Sequence, residues 1–426
     1  MAVLDFIINE IFGVAPIFMA LIALVGLILQ KKPFSEIVTG VFKTALGVII
    51  LMQGVNVLVG SMLPLAITVG DLQQATPFPD DMIGSDNFME QYGTQIGVAM
   101  LVGFGLNILV ARFTRWKSVF LTGHMLYWFP FVFTGVAVTA GFTGWTAGII
   151  GGIFAAIYYV VSPNLIRPYI REVIGNDDFT LGHPSVSFAL VGGFLAKKLG
   201  NKEKSTEDIN VPKGLRFFKE VAITGSIVVM LAYVVILIGF AIAGTPSGID
   251  TGGVSMFQFI LLQGLMFGAG LTILMLGVRM LISEITTAFT GIQEKLIPKA
   301  IPAFDCPLLF PYAPNAVILG FIVASITSVI VIFITAGLGI FKYAVVPVVI
   351  ACFFEAGTAA VVGNALGGRR GALLASVSSG IILVFLMGFS LPFVDKTIAD
   401  WMLGFGGQDF SLWAIIQGLI LMPFGG

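Results

Sequence analysis

The sequence predicts an all-α polytopic membrane protein, and composition is the first reason. Hydrophobic residues make up 57% of the 426-residue chain, and only 11% of the residues are Asp, Glu, Lys or Arg. Soluble domains carry about 25% charged residues, so this chain cannot build a water-facing surface, and a soluble enzyme is excluded. Intrinsic disorder is excluded as well, because disordered chains combine few apolar residues with much charge.

Long runs without Asp, Glu, Lys or Arg are the second reason. A bilayer core about 30 Å thick requires about 20 apolar residues per helix. The runs cover residues 11–30, 44–70, 91–111, 118–166, 221–249, 251–278, 306–341, 371–394 and 410–426. Because the fourth run has room for two helices separated by a turn at Gly141 and Gly144, we expect ten or eleven spans. Helices are the expected element, since backbone polar groups in lipid must be bonded within the protein.

Two further apolar runs, 343–354 and 356–368, are too short to span singly. We expect them to form a re-entrant hairpin that enters the membrane and returns. The Gly-rich segment 355–370, which ends in Arg369 and Arg370, predicts either a hairpin closing at the cytoplasmic face or a simple tight loop. The first run lacks a basic head and a small-residue cleavage site, so we expect a retained helix rather than a signal peptide.

Loop charges predict the orientation. The segment 197–219 carries seven basic residues: Lys197, Lys198, Lys202, Lys204, Lys213, Arg216 and Lys219. The segment 71–90 carries acidic residues and no basic one: Asp71, Asp80, Asp81, Asp86 and Glu90. The positive-inside rule places the first loop in the cytoplasm and the second outside. The basic loop either serves only this topology or also binds lipid or a partner protein.

Several functions are excluded or not expected. A net charge of −1 gives a nucleic acid little to bind, and the chain has no GxxxxGK[ST] loop with which to hydrolyse ATP. Cys306 and Cys352 stand in apolar surroundings without a CxxC motif, which is typical of buried hydrophobic side chains. We therefore expect no metal, no cofactor and no phosphate-carrying cysteine.

The two histidines of the chain are the first candidate site residues. His124 follows Gly123 and His183 follows Gly182, and glycine lets the backbone come close to a ligand. A neutral imidazole donates one hydrogen bond and accepts one, which suits a polyhydroxylated ligand. The alternative is two unrelated histidines bonded to neighbouring backbone.

Two aromatic residues, Trp128 and Phe129, follow the first histidine. Their rings would either stack on the apolar face of a sugar or pack between helices at the membrane interface. The sequence alone leaves both readings open.

The segment 279–316 is the second candidate region. Apolar residues at helical spacing predict an amphipathic helix over 279–295, in which we expect Arg279 and Glu284 to pair with each other or with other buried groups. Five prolines then follow, namely Pro298, Pro302, Pro307, Pro311 and Pro314. They exclude one continuous helix. Because broken helices at membrane depth line cavities, Asp305 among these prolines predicts a substrate site, although an ordinary loop is the alternative.

At these residues the sequence resembles the ascorbate-specific IIC permeases of the bacterial phosphotransferase system. The matching positions are 277–280, Glu284, 288–289, 291–292, 296–298, 305–306 and 313–317, together with 106–108, 121–124, 182–183, Asn364, 367–368, Arg370 and 417–418. The stretch 279–317 is the specific part of the resemblance, which extends over nearly the whole chain.

The resemblance implies a single permease domain over residues 1–426, with no fused IIA or IIB domain. It implies a homodimer in the bacterial cytoplasmic membrane, with inverted repeats, a core region that carries the sugar and a V-shaped dimerisation region. Separate cytosolic IIA and IIB proteins would supply phosphate, and phospho-IIB would phosphorylate the sugar on the inner side. His124, His183 and Asp305 match ligand-binding positions, and Tyr92 and Thr94 lie near another contact segment.

The sequence departs from the family beside both histidines. Where the family has glutamines, this chain has Trp128 and Phe129 after the first histidine and Pro184 after the second. L-Ascorbate, a related sugar acid, and a less polar sugar or polyol are therefore the candidate substrates. The alternative functions are an ion-coupled symporter that uses Asp305 or Glu284 and a membrane receptor that transports nothing.

Overall fold

The computed structural model describes residues 14–72, 76–209, 217, 220–295 and 297–424, and within these ranges it is mostly helical. The α-helices are α1 (Ala15–Leu29), α2 (Phe34–Leu72), α3 (Ser85–Phe113), α4 (Met125–Thr139), α5 (Gly144–Ile174), α6 (Val186–Leu199), α7 (Val221–Ala243), α8 (Met256–Lys295), α9 (Pro314–Gly337), α10 (Val349–Ser390), α11 (Ala399–Phe405) and α12 (Asp409–Leu421). Short 3₁₀ helices cover Thr206–Asp208, Cys306–Leu308, Phe310–Tyr312, Leu391–Phe393 and Met422–Phe424. Three predicted basic-loop residues, Lys213, Arg216 and Lys219, lie outside the described residues, as does the start of the first run.

Seven helices of the described chain are long and apolar enough to cross a membrane. They are Phe34–Met62, Ser85–Phe113, Gly144–Ile174, Ala222–Ile242, Met256–Leu281, Pro314–Gly337 and Val349–Phe393. Three shorter apolar helices accompany them, at Met19–Leu29, Met125–Thr139 and Asp409–Phe424. The all-α polytopic fold is confirmed. The sequence predicts ten or eleven spans, whereas seven described helices are long enough to cross and the three shorter ones are not.

The run 118–166 divides as predicted. Helix α4 ends at Thr139 and α5 begins at Gly144, with Gly141 (φ 96°) and Gly144 (φ 54°) in the left-handed region that favours glycine. The acidic segment 71–90 begins later than predicted, because α2 continues through Asp71 to Leu72.

The helices pack in two groups. Helices α1, α2, α7 and α8 pack mainly against one another, and we call them the frame region. Helices α3–α6 and α9–α12 pack mainly among themselves and, with the strands described next, form the site region. The helices thus fall into two groups, whereas their assignment to the predicted core and dimerisation regions, the V shape, the inverted repeats and the dimer stay predictions.

A small parallel sheet lies in the site region, and the sequence did not predict it. Strand β3 (Ile301–Phe304) pairs with β1 (Ser118–Phe120) on one side and with β2 (Thr180–Leu181) on the other. All nine strand residues are buried, so their backbone groups are satisfied by one another rather than by water. Buried Asn107 closes the outer edge of β1, since its side chain donates to the Ser118 carbonyl (3.1 Å) and accepts from the Phe120 N–H (2.9 Å).

Helix α10 is a helical hairpin. Gly367 and Gly368 (φ 61°) interrupt the helix, and a Cβ added at Gly363 would lie 2.9 Å from the Cβ of Ala375, so the chain reverses between them. The predicted hairpin exists, but its turn is at Gly367–Gly368 and not between the two short runs. Residues 349–366 form one continuous helical arm of this hairpin. Glu355, which separates the two apolar runs in the sequence, is buried within that arm.

The basic loop is bonded to the tip of this hairpin. The Asn201 N–H donates to the Gly367 carbonyl (2.8 Å), and the Arg369 backbone N–H donates to the Lys204 carbonyl (2.7 Å). The Arg369 side chain donates to the Ser205 carbonyl (2.7 Å). The hairpin tip therefore lies on the same side of the membrane as the loop whose charge predicts a cytoplasmic position.

Candidate functional site

The three parallel strands bring the predicted polar residues together. Strand β1 leads to His124, β2 leads through Gly182 to His183, and β3 ends directly before Asp305. Because the carboxyl ends of parallel strands share one edge of a sheet, residues from three distant parts of the sequence converge. Gly182 is required here, since a Cβ at this position would lie 2.8 Å from the Ala303 carbonyl oxygen.

Asp305 lies between the two imidazoles. Its Oδ2 is 3.8 Å from His124 Nδ1, and its Oδ1 is 3.5 Å from His183 Nε2. The side chains of the three residues are 11%, 4% and 9% exposed for His124, His183 and Asp305. Asp305 Oδ1 also accepts the Cys306 N–H (2.7 Å), and His183 Nδ1 lies 3.2 Å from the Ser185 hydroxyl. Two of the three side chains are thus fixed by neighbouring groups.

His124 has an unused hydrogen-bonding atom. Its Nδ1 is buried and has no hydrogen-bond partner among the described residues. The 3.8 Å distance to Asp305 is too long for a hydrogen bond between the two groups. A ligand hydroxyl is suited to this place, because it can donate to the carboxylate and interact with the imidazole at the same time.

A cavity opens at this triad, and together with the open solvent at its mouth it comprises about 580 Å³ of space not filled by protein atoms. Its polar lining from the site region is His124, His183, Asp305, Glu355 and Gln408. The frame region contributes only apolar side chains, which are Leu51, Leu274 and Val278. The cavity therefore lies between the two regions, with its polar groups on one side.

Trp128 lines the cavity, and it belongs to an aromatic wall. Its ring lies 5.0 Å from that of Trp401, which in turn lies 4.9 Å from that of Phe405. Such a wall provides an apolar face against which a sugar ring can stack.

Phe129 does not line this cavity. Its ring is fully buried and packs 3.7 Å from that of Tyr158 and 4.5 Å from that of Phe410. Successive helix residues point about 100° apart, so Trp128 and Phe129 cannot face the same ligand. Of the two residues, Trp128 thus lines the cavity, and Phe129 packs between helices.

Tyr92 and Thr94 do not line the cavity either. Tyr92 interrupts the helical backbone of α3 (φ −115°, ψ 15°) and stacks on Phe88 at 4.7 Å. Phe88 contacts Phe131, which contacts Trp128, so Tyr92 is separated from the aromatic wall by two rings.

Sequence reasoning missed Asp409, which holds the loop of the second histidine. Its carboxylate accepts the backbone N–H groups of Val186 (3.2 Å) and Ser187 (2.9 Å) at the start of α6. The Tyr158 hydroxyl lies 2.7 Å from Asp409 Oδ2 and 2.9 Å from the His183 carbonyl oxygen. A carboxylate at a helix N-terminus is stabilised by the free N–H groups there. The available signal was an acidic residue directly before the last apolar run.

Arg279 and Glu284 do not pair with each other, so of the two predicted alternatives only the pairing with other groups remains. Glu284 lies 3.3 Å from Lys43 in a separate cleft of the frame region, and Arg279 donates to the Met275 carbonyl (3.2 Å). Both residues lie on the continuous helix α8, where positions five apart point in different directions.

A metal ion is a second chemical possibility for the triad, although the sequence predicts none. One ligand atom each of His124, His183 and Asp305 lies within 4.8 Å of the others. These three residues could therefore bind either a metal ion or a hydroxylated ligand in the cavity.

Comparisons with known proteins agree with the geometry. A family model described as the sugar-specific permease component of the PTS system matches residues 10–409. The ascorbate-specific PTS system EIIC component of Mycoplasma pneumoniae is 27% identical over 453 residues, which cover 93% of this chain and 68% of that relative.

Proposed function

Since the chain belongs to the sugar-specific permease components of the phosphotransferase system, we propose that it translocates L-ascorbate or a related sugar acid or sugar, which a separate IIB protein phosphorylates. It is a multi-pass protein of the bacterial cytoplasmic membrane, with a sugar as substrate and, as in this family generally, cytosolic IIB partners. The ascorbate specificity is that of the Mycoplasma relative.

The observation that carries the proposal is the buried triad in a cavity. Asp305 accepts hydrogen bonds from ligand hydroxyls, His124 Nδ1 supplies a partner that no described residue uses, and Trp128 covers one face of the sugar. Buried ionisable groups in a membrane protein are costly, and they are retained at sites and pathways. The binding residues in this proposal are His124, His183, Asp305 and Trp128.

The location of the cavity supports transport by movement of the site region against the frame region. The triad that would hold the sugar belongs to the site region. The frame region presents Leu51, Leu274 and Val278 to the cavity. Apolar side chains make no directional bonds with the sugar, so the site region can slide past them without breaking hydrogen bonds. A homodimer held by the frame regions would provide the fixed support for that motion.

The basic loop and hairpin tip are the proposed docking side for IIB. Lys198, Lys204 and Arg370 are exposed there. Both cysteines are buried, and neither serves as a phosphate carrier in this proposal. The chain would thus bind and move the sugar, and IIB would perform the transfer.

Uptake into inverted or right-side-out membrane vesicles tests the function. We expect labelled sugar to accumulate as sugar phosphate only when phosphoenolpyruvate, the general phosphotransferase proteins, IIA and IIB are present. The ion-coupled alternative predicts uptake driven by a proton or sodium gradient without phosphoenolpyruvate. Glu284 is a poor candidate for that alternative, since it pairs with Lys43 away from the sugar cavity.

A further inference from the structure

We propose that Trp401 is a specificity-determining residue, positioned by Asp400, and that it makes the cavity favour cyclic sugars and sugar acids over open-chain polyols. The inference rests on the function proposed above and narrows its substrate class. Neither the sequence motifs nor the comparisons assign Trp401 or Asp400 a role.

The aromatic wall consists of three rings with similar orientations. The ring planes of Trp128 and Trp401 differ by 31°, those of Trp401 and Phe405 by 25°, and those of Trp128 and Phe405 by 15°. All three residues line the cavity. Offset-stacked rings attract one another at centroid distances of about 4.5–7 Å, so a ligand ring that lies parallel to these planes continues the stack.

The polar side chains available to a ligand are concentrated at the triad. Gln408 also lines the cavity, but its Nε2 donates to the Phe405 carbonyl (2.7 Å) and its Oε1 accepts the Phe410 N–H (2.7 Å). Glu355 is 4% exposed, and its Oε2 has almost no accessible surface. The other described lining side chains are aliphatic or aromatic. A ligand therefore meets hydrogen-bonding side chains on one side and carbon surface elsewhere.

This one-sided arrangement favours a ring over an open chain. A pyranose or a lactone ring carries its hydroxyls at the rim, so one edge can bond to the triad while a face lies on the aromatic wall. An open-chain polyol carries a hydroxyl on every carbon, and those directed at the wall would lose water without gaining a partner, which is unfavourable. The open chain also loses more conformational freedom on binding.

Asp400 anchors the helix that carries Trp401. Its carboxylate accepts the Ser85 N–H, at 3.1 and 3.0 Å from its two oxygens, and the Ser85 hydroxyl (2.6 Å) at the start of α3. Helix α11 has only 7 residues, and isolated helices of this length are unstable in water, so its position depends on such contacts. Asp400 thus positions the ring of the residue that directly follows it.

The test measures the affinity of the purified full-length protein in nanodiscs for matched pairs of ligands. One pair is a hexopyranose and the hexitol formed by its reduction, and the other is L-ascorbate and the open-chain acid L-gulonate. We expect the wild type to bind one ring ligand about tenfold or more tighter than its open-chain counterpart. In Trp401→Leu this ratio should fall about fivefold, the size expected for one aromatic stacking contact, because the ring ligand binds more weakly.

Trp145→Leu is the matched control. Trp145 is 52% exposed and is not among the described residues that line the cavity, so its substitution should leave the ratio unchanged. A variant that only destabilises the fold should weaken both members of a pair alike. Trp401→Phe keeps a smaller aromatic face and should lower the ratio less than Trp401→Leu, and it provides the test if the leucine variant does not fold.

Asp400→Ala tests the positioning role. It should lower the ratio about threefold in the wild-type background and leave it unchanged in Trp401→Leu, because two residues that act through one ring are not additive. Asp395→Asn is its control, since that carboxylate bonds to Tyr343 (2.6 Å) and is not among the described lining residues. An unaltered ratio in Asp400→Ala, or an equal change in both backgrounds, overturns the positioning role.

The outcomes separate this inference from the proposed function. Open-chain ligands that bind the wild type at least as tightly as their ring counterparts in both pairs overturn the ring selection, while phosphoenolpyruvate-dependent uptake of any probe leaves the proposed function standing. A ratio that is unaltered in both Trp401 variants overturns the assignment to Trp401. A wild type that binds none of the probes and shows no phosphoenolpyruvate-dependent uptake overturns the proposed function, and the inference with it.

Discussion

The frame region and the site region differ in where they place polar groups and irregular backbone. The frame contains two uninterrupted helices of 39 and 40 residues, α2 and α8, and it presents apolar side chains to the cavity. The site region contains the three strands and the helical hairpin, and its buried polar residues include Asp305, Glu355 and Asp409.

The difference shows how function is distributed in the molecule. Non-helical backbone at membrane depth is tolerated only when it is buried in protein or lines a cavity. Strands β1, β2 and β3 are buried, and they end at the residues that line the cavity. The polar groups that line the cavity therefore lie in the site region, whereas the frame presents apolar side chains to the cavity and packs its helices closely.

Substitution of Asp305, the carboxylate between the two histidines, should have the largest effect on sugar binding. Asp305→Ala should weaken sugar binding by about 100-fold or more, because truncating one member of a buried hydrogen-bonded charged group commonly costs 2–5 kcal/mol. Asp305→Asn, which keeps an acceptor for the Cys306 N–H, should lose less. Equilibrium binding to purified protein measures both, and Glu284→Gln in the frame is the control with unchanged affinity.

Substitution of Asp409 should have the next largest effect on sugar binding. Asp409 does not contact the ligand but positions the start of α6 beside His183. Asp409→Asn should weaken sugar binding about tenfold, since it removes charge from the bonds that hold the start of α6 beside His183. Tyr158→Phe should have a smaller effect, because it leaves the bonds to Val186 and Ser187 in place. Affinity and melting temperature measured together test this order, and a change in stability with unaltered affinity would contradict the positioning role.

A frame substitution should alter stability without changing ligand choice. A Cβ at Gly54 on α2 would lie 2.6 Å from the Leu274 Cα on α8, so Gly54→Ala should destabilise by about 1–3 kcal/mol through overpacking. Gly60→Ala on the same helix meets no atom of the described residues within 4 Å and is the matched control. Melting curves measure the difference, and an altered ranking of sugars in Gly54→Ala would show that the two regions are not separate in function.

Loss of the exposed Lys43–Glu284 ion pair in the frame region should have the smallest effect on stability and uptake. The Lys43 and Glu284 side chains are 51% and 20% exposed, and such pairs contribute about 0–1 kcal/mol. Lys43→Met should therefore leave both the melting temperature and sugar uptake nearly unchanged. A large loss of uptake in this variant would support a role for the frame cleft in transport.

The sequence predicted the helices and the triad because both rest on strong signals. Apolar runs without charge mark spans, and His124, His183 and Asp305 stand out as polar residues in apolar surroundings. The strands could not be predicted, since they are two to four residues long and Pro302 lies inside the central one.

Glu355 shows why the rest of the site escaped prediction. In the sequence, its carboxyl group separates two apolar runs. In the structure, the residue is buried inside one continuous helical arm. Whether a charge marks a loop or a site depends on the tertiary packing around it. For the same reason Phe129 and Trp128 could not be told apart, although only Trp128 reaches the cavity.

The most direct test of the central claim is a structure of the protein determined with its sugar bound. We expect a sugar hydroxyl beside this pair, within hydrogen-bond distance of both His124 Nδ1 and Asp305 Oδ2, which lie 3.8 Å apart. We also expect the Trp128 ring against the sugar. A sugar bound elsewhere, with the triad unchanged and free of ligand contact, would contradict the account.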